Sequence, residues 1–432
     1  MRSSAFSGEK IHQPTPDMLL RLLSAAWYGD TELSLPLPDH WDVSIVDQEH
    51  CPAIGDSGIE ESIRRPFGCP ALSESAKGKK LVSILIDDIQ RPTPVKKVFP
   101  FILDELNKGG IKRDQIMIIM ATAAHRTATE EDFIKKLGID IHAGIRTLSH
   151  DCNKDLVFLA RTDRGTPIYV NKFFYESDLK VTIGGVYPND GPGFGGGVKM
   201  VCPGMCGIET IQHLHANSNK VGRGITSANE FREEIEKVTE QTGLDFSVNV
   251  LLNRNREISH IFSGHRIIAH EQAVQAAKRI YNVKPVGNAD IVLADIYPFD
   301  VSIHFISKGL WPLLSGREGS SKVVIAACPE GLGYHGLSLA SLRGWSGFIR
   351  RMRALSRDNL YRSILRLKNK QPEFILFSRS IKIKELKKLY PAARVSNRWE
   401  HIINVLESIH KQPRVRVAVY RCASLEFPFR PE

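Results

Sequence analysis

The sequence of 432 residues has no apolar run long enough to cross a membrane. A spanning helix needs about 20 consecutive apolar residues, and the first residues lack the apolar core of a signal peptide. We therefore expect a cytoplasmic protein with no membrane partner. The seven cysteines are scattered and form no CxxC pair, which argues against a zinc knuckle and against a secreted disulfide framework.

Two nucleotide-binding signatures are also missing. A Walker phosphate loop needs Gly-Lys followed by Ser or Thr, but Val198 separates Gly197 from Lys199, and Met200 stands in place of the hydroxyl residue. The glycines of this stretch do not fit the GxGxxG fingerprint of dinucleotide-binding folds either. The spacing therefore argues against a Walker-type kinase or ATPase and does not favour dinucleotide binding.

The composition is that of a globular protein, with 42% hydrophobic and 25% charged residues. A chain of this length exceeds one compact core, so we expect two domains. The formal charge of +10 would suit nucleic acid, but the excess lies mainly in helix-like runs at 350–370 and 382–388 with few interleaved aromatic residues. A solvated basic face is the simpler interpretation, and we expect no nucleic-acid partner.

Alternating apolar runs and helical patterns predict an α/β fold. The apolar run 80–86 is typical of a strand buried on both faces. A helical pattern follows at 95–108, and the run 115–120 repeats the strand pattern. A second alternation of strand and helix patterns begins at Ala289. This alternation indicates mostly parallel sheets, and we predict two Rossmann-like lobes with a ligand cleft between them.

The domain boundaries follow from the same patterns. We expect an N-terminal domain over 1–275 and a C-terminal α/β domain over 276–410. A terminal strand and tail follow over 411–432, and this segment can return to the N-terminal lobe. The proline-rich region 1–78 is predicted to be irregular, apart from one amphipathic piece at 18–26.

Polar clusters follow three of the predicted strands. In parallel sheets, ligands collect beyond the carboxyl ends of the strands. Three such clusters in equivalent places are more than solvated loops would give, although each has a plainer interpretation when taken singly, such as a strand cap or a core histidine. In strand order they are Asp87, Asp88 and Arg91; His125 and Arg126; and the stretch 191–197 with Lys199.

The stretch 191–197 contains five glycines in seven positions. Without Cβ atoms, this backbone can approach a bulky ligand closely and adopt positive φ angles. Lys199 follows it, and His213 and His215 come next on a predicted helix. Because residues two positions apart do not share a helix face, at most one of these histidines points inward. Lys199 and one histidine are therefore candidates for holding a metal-bearing ligand.

Taken together, these motifs resemble the nickel-dependent lactate racemase family. The resemblance runs from about residue 80 to about residue 308, and more loosely beyond. The matching segments, in order, are Asp87 to Pro94; Ala124 to Glu131; Gly193 to Lys199 with Pro203-Gly204 and His215; and Pro298-x-Asp300 with Lys308.

The resemblance implies a nickel-pincer nucleotide cofactor, pyridinium-3,5-bisthiocarboxylic acid mononucleotide nickel, in which two sulfur groups and a ring carbon hold the metal. On the matching positions, Lys199 would tether this cofactor through a thioamide and His215 would supply the remaining nickel ligand. Imidazole nitrogen suits nickel. Asp88 matches the family's cofactor-side acid, and Gly195, Gly196 and Gly197 would close on the flat ring.

The resemblance also implies racemisation or epimerisation of a 2-hydroxy acid by transient hydride transfer. A histidine, here His125, takes the hydroxyl proton while the Cα hydride moves to the pyridinium ring, and the hydride then returns to the other face. Arg91 and Lys308 match the cations that hold the substrate carboxylate. The implied partners are the small 2-hydroxy acid and the proteins that synthesise the cofactor.

Two departures from the family pattern concern the chemistry. The second acid/base histidine is replaced by Asn189, and an amide does not exchange protons near neutral pH; Asp190, Tyr187 and His304 are possible substitutes. Phe305 stands where lactate racemase has a substrate-binding glutamine, and His304 where a tyrosine is common. One interpretation of these two replacements is that the substrate is larger or less polar than lactate. The alternative is a non-catalytic relative that binds nickel or the nucleotide as a carrier or sensor.

Overall fold

The computed structural model describes residues 18–217, 222–337 and 373–429. The basic run at 350–370 lies outside these residues. In chain order the strands are β1 (Met18–Ser24), β2 (Thr31–Leu37), β3 (Trp41–Val46), β4 (Val82–Asp87), β5 (Ile116–Ala121), β6 (Arg146–Ser149), β7 (Leu156–Arg161), β8 (Pro167–Asn171), β9 (Leu179–Gly185), β10 (Pro188–Asn189), β11 (Gly193–Phe194), β12 (Phe246–Leu252), β13 (Ile258–Gly264), β14 (Ile291–Asp295), β15 (Ser321–Ile325), β16 (Ile375–Phe377), β17 (Arg394–Ser396) and β18 (Val415–Tyr420).

The α-helices alternate with these strands, as the sequence patterns predict. In chain order they are α1 (Asp56–Arg64), α2 (Leu72–Ala76), α3 (Val95–Lys108), α4 (Glu130–Leu137), α5 (Ile139–Gly144), α6 (Lys172–Tyr175), α7 (Ile208–Asn217), α8 (Glu230–Thr242), α9 (Ile268–Ile280), α10 (Ile383–Leu386) and α11 (Trp399–Ile409). Among the described residues, no helix has both the length and the apolar character needed to cross a bilayer.

The first large sheet has the strand order β13-β12-β9-β4-β5-β6. Its pairs are parallel except for β12 with β13. Each residue of the inner strand β4 is buried, which explains the uninterrupted apolar run in the sequence. Thr129 caps α4 by accepting the backbone N–H of Asp132. This cap fixes the start of α4, shortly after His125 in the chain.

The second large sheet has the order β17-β16-β15-β14-β18-β3, with all pairs parallel. Strand β18, from the segment 411–432, lies between β14 and β3 and not in the first sheet. The tail beyond it contacts residues of both predicted domains: the Phe427 N–H donates to the Tyr281 carbonyl, and Phe429 stacks on Phe194 at 5.7 Å. The prediction of an α/β fold with mostly parallel sheets is confirmed.

The prediction that residues 1–78 are irregular is wrong in the middle part of this region. Strands β1 and β2 form an antiparallel hairpin, and β3 joins the second sheet. The hairpin forms because alternate leucines of both strands, including Leu20, Leu22 and Leu35, are buried in a cluster with residues of β14. Period-two burial of this kind is typical of a strand with one apolar face.

Candidate active site

The carboxyl ends of β4 and β5 meet the glycine-rich stretch at a small cavity of about 40 Å³. Convergence at strand ends is what the parallel-sheet rule predicts. Tyr187, which follows β9, also lines the cavity. The lining residues already singled out from the sequence are Asp87, Asp88, Arg91, His125, Gly196 and Lys199.

His125 and Asp88 form a hydrogen-bonded pair on the cavity wall. His125 Nδ1 contacts Asp88 Oδ2, and both side chains are nearly buried. Burial alone would raise the pKa of Asp88, but nearby His125 and Arg91 outweigh it and hold that pKa well below its ordinary value. Because the ionised carboxylate keeps the proton on Nδ1, the lone pair of neutral His125 lies on Nε2. Burial lowers the pKa of His125, against the influence of Asp88.

The contact with His125 defines the position of the Asp88 carboxylate more closely than the sequence did. The resemblance predicts an acid on the cofactor side, and Asp88 does line the cavity. Its carboxylate also accepts the Gln90 backbone N–H at 3.1 Å, which fixes its orientation. Asp88 therefore has the geometry of a group that orients His125 as a proton acceptor.

The guanidinium of Arg91 is held from several sides. Its Cζ lies 5.0 Å from the centre of the Phe305 ring, and its side chain hydrogen-bonds to Tyr187. Its backbone carbonyl accepts Trp27 Nε1 at 3.0 Å and Lys136 Nζ at 2.8 Å. A guanidinium fixed in this way is suited to receive a carboxylate in a two-point contact.

Asp87, the last residue of β4, has a structural role. Its carboxylate accepts Lys136 Nζ at 2.6 Å, the Gly185 backbone N–H at 3.2 Å and the Thr93 hydroxyl. The side chain of Lys136 is completely buried. Because each partner satisfies the other's charge, the pair can exist in the interior. This pair ties β4, α4 and β9 together beneath the cavity.

Lys199 lies on a 3₁₀ turn, Gly197–Met200, at the edge of the cavity. Burial, followed by the charge of Arg91, lowers its pKa to about 7. A large fraction of this amine is therefore uncharged at neutral pH, which is the nucleophilic form. The structure thus makes Lys199 suitable for covalent attachment to an electrophilic group.

The glycines before Lys199 serve mainly the protein's own packing. Gly196 and Gly197 have φ angles of +74° and +53°, which disfavour residues with a Cβ. A Cβ on Gly197 would lie 2.6 Å from His270, and one on Gly195 would lie 2.8 Å from the Gly185 carbonyl. Gly196 lines the cavity. The close backbone approaches expected for a ligand are thus largely made to neighbouring protein atoms.

His215 and His213, on α7, have different surroundings, as their spacing predicts. His213 Nδ1 contacts Thr166 Oγ1 at 3.1 Å. His215 Nδ1 donates to the Ile211 carbonyl at 2.8 Å, and its ring meets Phe231 edge-on at 5.2 Å. This hydrogen bond leaves the lone pair of neutral His215 on Nε2, an arrangement common among metal-binding histidines.

Side chains that follow β14 and β15 complete the surroundings of His125. The ring of Phe305 meets His125 edge-on at 4.9 Å, and the ring of His335 lies 5.1 Å from it. Lys308 Nζ lies 5.9 Å from the Tyr187 ring, and burial holds the pKa of Lys308 well below its ordinary value although Asp190 opposes this.

His335 was not singled out from the sequence. It belongs to the segment Gly333-Tyr334-His335-Gly336, beyond the carboxyl end of β15, so the strand-end rule applied to the second sheet would have drawn attention to it. Burial, followed by the charges of His125 and His215, holds its pKa well below the ordinary value. Lys199 acts electrostatically on His125.

Asn189 is committed to its own turn. It lies on the short hairpin of β10 and β11, where its Oδ1 accepts the Gly191 N–H at 3.2 Å. Asp190, next to it, is exposed and acts electrostatically on Lys308 and Arg223. Within the described part of the chain, no three His, Cys, Asp or Glu side chains form a metal-binding group.

The sequence and the fold of the chain are similar to those of lactate racemases. Residues 28–224 match the family model of the lactate racemase N-terminal domain. The resemblance inferred from the motifs is thereby confirmed, and so is the class of isomerases to which the named relatives belong.

Two curated relatives match most of the chain. The lactate racemase of Thermoanaerobacterium thermosaccharolyticum is 28% identical over 324 residues, which is 72% of this chain and 75% of the relative. The lactate racemase of Lactiplantibacillus plantarum is 29% identical over 293 residues, 65% of this chain and 69% of the relative.

Solved structures agree on the fold. The lactate racemase apoprotein from T. thermosaccharolyticum superposes with a TM-score of 0.74 at 22% identity, covering 95% of this chain and 99% of that one. A protein from Thermotoga maritima superposes with a TM-score of 0.62 at 17% identity, covering 86% and 97%.

Proposed function

We propose that the protein is a nickel-pincer nucleotide-dependent racemase or epimerase of a 2-hydroxy acid. The observation that carries this proposal is the meeting of a proton acceptor, a carboxylate-binding cation and an uncharged amine, His125, Arg91 and Lys199, at one cavity. The two curated relatives named lactate racemase support the same reaction class.

The residues present fit the proposed cofactor. The amine of Lys199, with its pKa near 7, is suited to form the thioamide tether, and Nε2 of His215 is suited to bind nickel. Arg91 adds positive charge near Lys199, which favours an anionic nucleotide. When bound, the group supplies an acceptor that takes the Cα hydride and gives it back.

The protein's own side chains would then bind the substrate and move its proton. Arg91 and Lys308 hold the carboxylate. Nε2 of His125 accepts the proton of the 2-hydroxyl group and later returns it, and Asp88 stabilises the imidazolium that exists between these two steps. Phe305, packed against both His125 and Arg91, excludes water from this side of the reacting carbon.

Phe305 also bears on the choice of substrate. An apolar ring replaces the polar amide that contacts substrate in lactate racemase, so a substrate larger or less polar than lactate is favoured. A panel of 2-hydroxy acids with aliphatic and aromatic side chains should therefore be tested beside lactate.

Intact-mass measurement tests attachment of the cofactor. Protein produced together with the cofactor-synthesis proteins should carry an adduct and nickel, and Lys199→Ala should lose the adduct. Lys97→Ala is a matched control, because Lys97 is exposed on α3. Wild-type protein without adduct and without nickel would contradict the proposal.

Chiral chromatography tests the reaction. Loaded wild-type protein should invert at least one acid of the panel, and His125→Ala should reduce the rate by about 100-fold to 10,000-fold. Hydrogen exchange with solvent at Cα is uninformative, because the hydride returns intact.

A carrier or sensor of nickel or of the nucleotide is the second candidate function, favoured by the engagement of Asn189 in its own turn. Inversion of any acid that depends on His125 would exclude it. Adduct formation with no inversion across the panel would favour it.

A further inference from the structure

The groups of the candidate site come from both large sheets. Arg91 follows β4 and His125 follows β5 of the first sheet, whereas Phe305 and Lys308 follow β14 of the second. If the protein has the function proposed above, carboxylate binding by Arg91 and proton transfer by His125 need a fixed distance between their two loops. A contact that ties both loops to the second sheet would fix this distance.

Glu330, in the loop after β15, makes such a contact. Its backbone N–H donates to the Val301 carbonyl at 3.0 Å, within the second sheet's own loops. Its Oε2 accepts Gln90 Nε2 at 2.7 Å, and its Oε1 accepts the Tyr28 hydroxyl at 2.8 Å. Arg126 adds two hydrogen bonds, from Nε to Oε2 at 3.2 Å and from Nη2 to Oε1. Each oxygen thus accepts two donors, which fills the acceptor capacity of a carboxylate.

We propose that Glu330 is a positioning residue that sets the distance between Arg91 and His125. One of its partners, Gln90, immediately precedes Arg91 in the chain. Another partner, Arg126, immediately follows His125. Each of these contacts restrains the backbone beside one group of the site. Glu330 itself has no acceptor site left for substrate, so it acts only through its neighbours.

The side chain of Gln90 is held at both ends. Its Nε2 donates to Glu330, and its Oε1 accepts the Ser302 hydroxyl at 3.0 Å. Ser302 immediately precedes the 3₁₀ segment that carries Phe305, so both partners of Gln90 belong to the second sheet's loops. Because Gln90 is buried, loss of either partner leaves an unsatisfied amide group in the interior.

The guanidinium of Arg126 lies between two carboxylates. Its Nε and Nη2 donate to Glu330. Its Nη1 and Nη2 donate to Asp132 at the start of α4, the latter at 3.0 Å. The Asp132 carboxylate also accepts the Thr129 N–H at 2.8 Å. Two-point contacts of this kind fix the orientation of a guanidinium, which restrains the backbone that follows His125.

Three single substitutions test the two contacts. Gln90→Ala should raise KM for inversion about tenfold with little change in kcat, because it loosens the carboxylate-binding loop. Arg126→Ala should lower kcat by about tenfold to 100-fold, because it loosens the loop of the proton acceptor. Glu330→Ala should do both. Chiral chromatography at varied substrate concentration measures the two parameters.

Double variants show whether both effects pass through Glu330. When Gln90→Ala is added to Glu330→Ala, the combined rise in KM should be smaller than the product of the single rises by about threefold or more. The combined fall in kcat should be smaller in the same way when Arg126→Ala is added to Glu330→Ala. Multiplicative effects in both double variants would overturn the inference.

Glu105→Ala is the matched control. Glu105 is a nearly buried carboxylate on α3 that pairs with Lys108 and Arg64, so its loss removes ion pairs away from the cavity. A variant that has only lost stability has less active protein, which lowers the apparent kcat and leaves KM unchanged. We therefore expect wild-type KM for Glu105→Ala. An equal rise in KM for Glu105→Ala and Glu330→Ala would overturn the inference.

Hydrogen exchange gives a readout that does not depend on turnover. The Arg91 N–H donates to the Asp88 carbonyl at 2.9 Å, and the His125 N–H donates to the Thr122 carbonyl at 2.8 Å. In Glu330→Ala both amides should exchange about tenfold faster relative to the amides of β4, because local opening of the two loops becomes easier. Wild-type exchange at both positions would overturn the inference.

The outcomes separate this inference from the proposed function. Wild-type protein that inverts an acid while Glu330→Ala keeps both its KM and its kcat would overturn the inference alone. Loaded wild-type protein that inverts no acid would overturn the proposed function, and hydrogen exchange would then still decide whether Glu330 positions the two loops.

Discussion

Two pairs of acidic residues occupy corresponding places in the two large sheets and have opposite electrostatics. Asp87 is the last residue of β4 and Asp88 follows it directly, whereas Asp295 is the last residue of β14 and Asp300 lies five residues further on. All four side chains are buried. The first pair faces cations: Lys136 binds Asp87, while His125 and Arg91 hold the pKa of Asp88 well below its ordinary value.

The second pair faces backbone instead. Asp300 accepts the N–H groups of Ala25 at 2.7 Å and Ala26 at 3.1 Å, which fastens the β1–β2 hairpin to the second sheet. Burial raises the pKa of Asp300 despite these bonds, and burial together with Asp300 raises the pKa of Asp295 well above its ordinary value. A strand-end carboxylate can therefore polarise a histidine where cations keep it ionised, and otherwise it serves as an anchor.

The largest effect should follow from neutralising Asp88, the member of the first pair that contacts His125. Asp88→Asn leaves His125 without its charged partner, and kcat/KM for inversion should fall by about 100-fold to 10,000-fold. Because Asp88 raises the pKa of His125, the loss of activity on acidification should move to lower pH in the variant. Chiral chromatography as a function of pH measures both effects.

The same variant distinguishes two roles of Asp88. If Asp88 orients His125, the Lys199 adduct forms normally and turnover fails. If it binds the cofactor, as the family resemblance implies, the adduct fraction falls as well. Asp300→Asn is the corresponding change in the second pair, and it should leave kcat within about tenfold of wild type.

The next effect concerns stability. Lys136→Met leaves Asp87 buried without its cation, which should lower the free energy of unfolding by about 3 to 5 kcal/mol. The double variant Lys136→Met with Asp87→Asn should regain much of this loss, since no uncompensated charge remains. Urea denaturation measures both. Lys172→Met breaks the exposed pair with Glu176 and should cost less than about 1 kcal/mol.

An equal loss in the single and double Lys136 variants would show that shape, and not charge, stabilises this strand end. The contrast between the two pairs of acids would then lose its electrostatic basis at Asp87.

The sequence predicted what local patterns determine. Strands β4 and β5 were recognisable because burial on both faces makes their apolar runs continuous. The strand-end rule then predicted that Asp88, Arg91 and His125 meet. These features depend on residues close in sequence or on a general property of parallel sheets.

The missed features depend on contacts between distant segments. Prolines at 36 and 38 hid the β1–β2 hairpin, whose leucines are buried only because β14 lies beneath them. His335 joins His125 through a bridge between loops of different sheets. The role of Gly197 depends on His270, which fills the space beside it. No local pattern encodes which distant side chain occupies such a position.

The smallest expected effect is a pH dependence of the unfolding free energy, and it distinguishes the two pairs of acids most directly. A raised pKa means that folded Asp295 binds a proton more tightly than unfolded Asp295 does, so wild-type stability falls as pH rises from 3.8 towards the folded pKa. Asp295→Asn removes this dependence. Relative to wild type, the variant should therefore gain up to ~1.4 kcal/mol per pH unit in this range.

For Asp88 the sign is opposite. Its folded pKa lies below 3.8, so its contribution to stability is lost only as pH falls below that value. Between pH 4 and pH 7, the carboxyl group of Asp88 therefore adds no pH dependence to the difference in unfolding free energy between Asp88→Asn and wild type, which changes only through the pKa of His125, whereas the difference for Asp295→Asn should also grow through the titration of Asp295 itself. Urea denaturation across this range measures both differences. Parallel lines for the two variants would mean that the two strand ends have the same electrostatics, and the cations around β4 would then give no reason to place the proposed chemistry there.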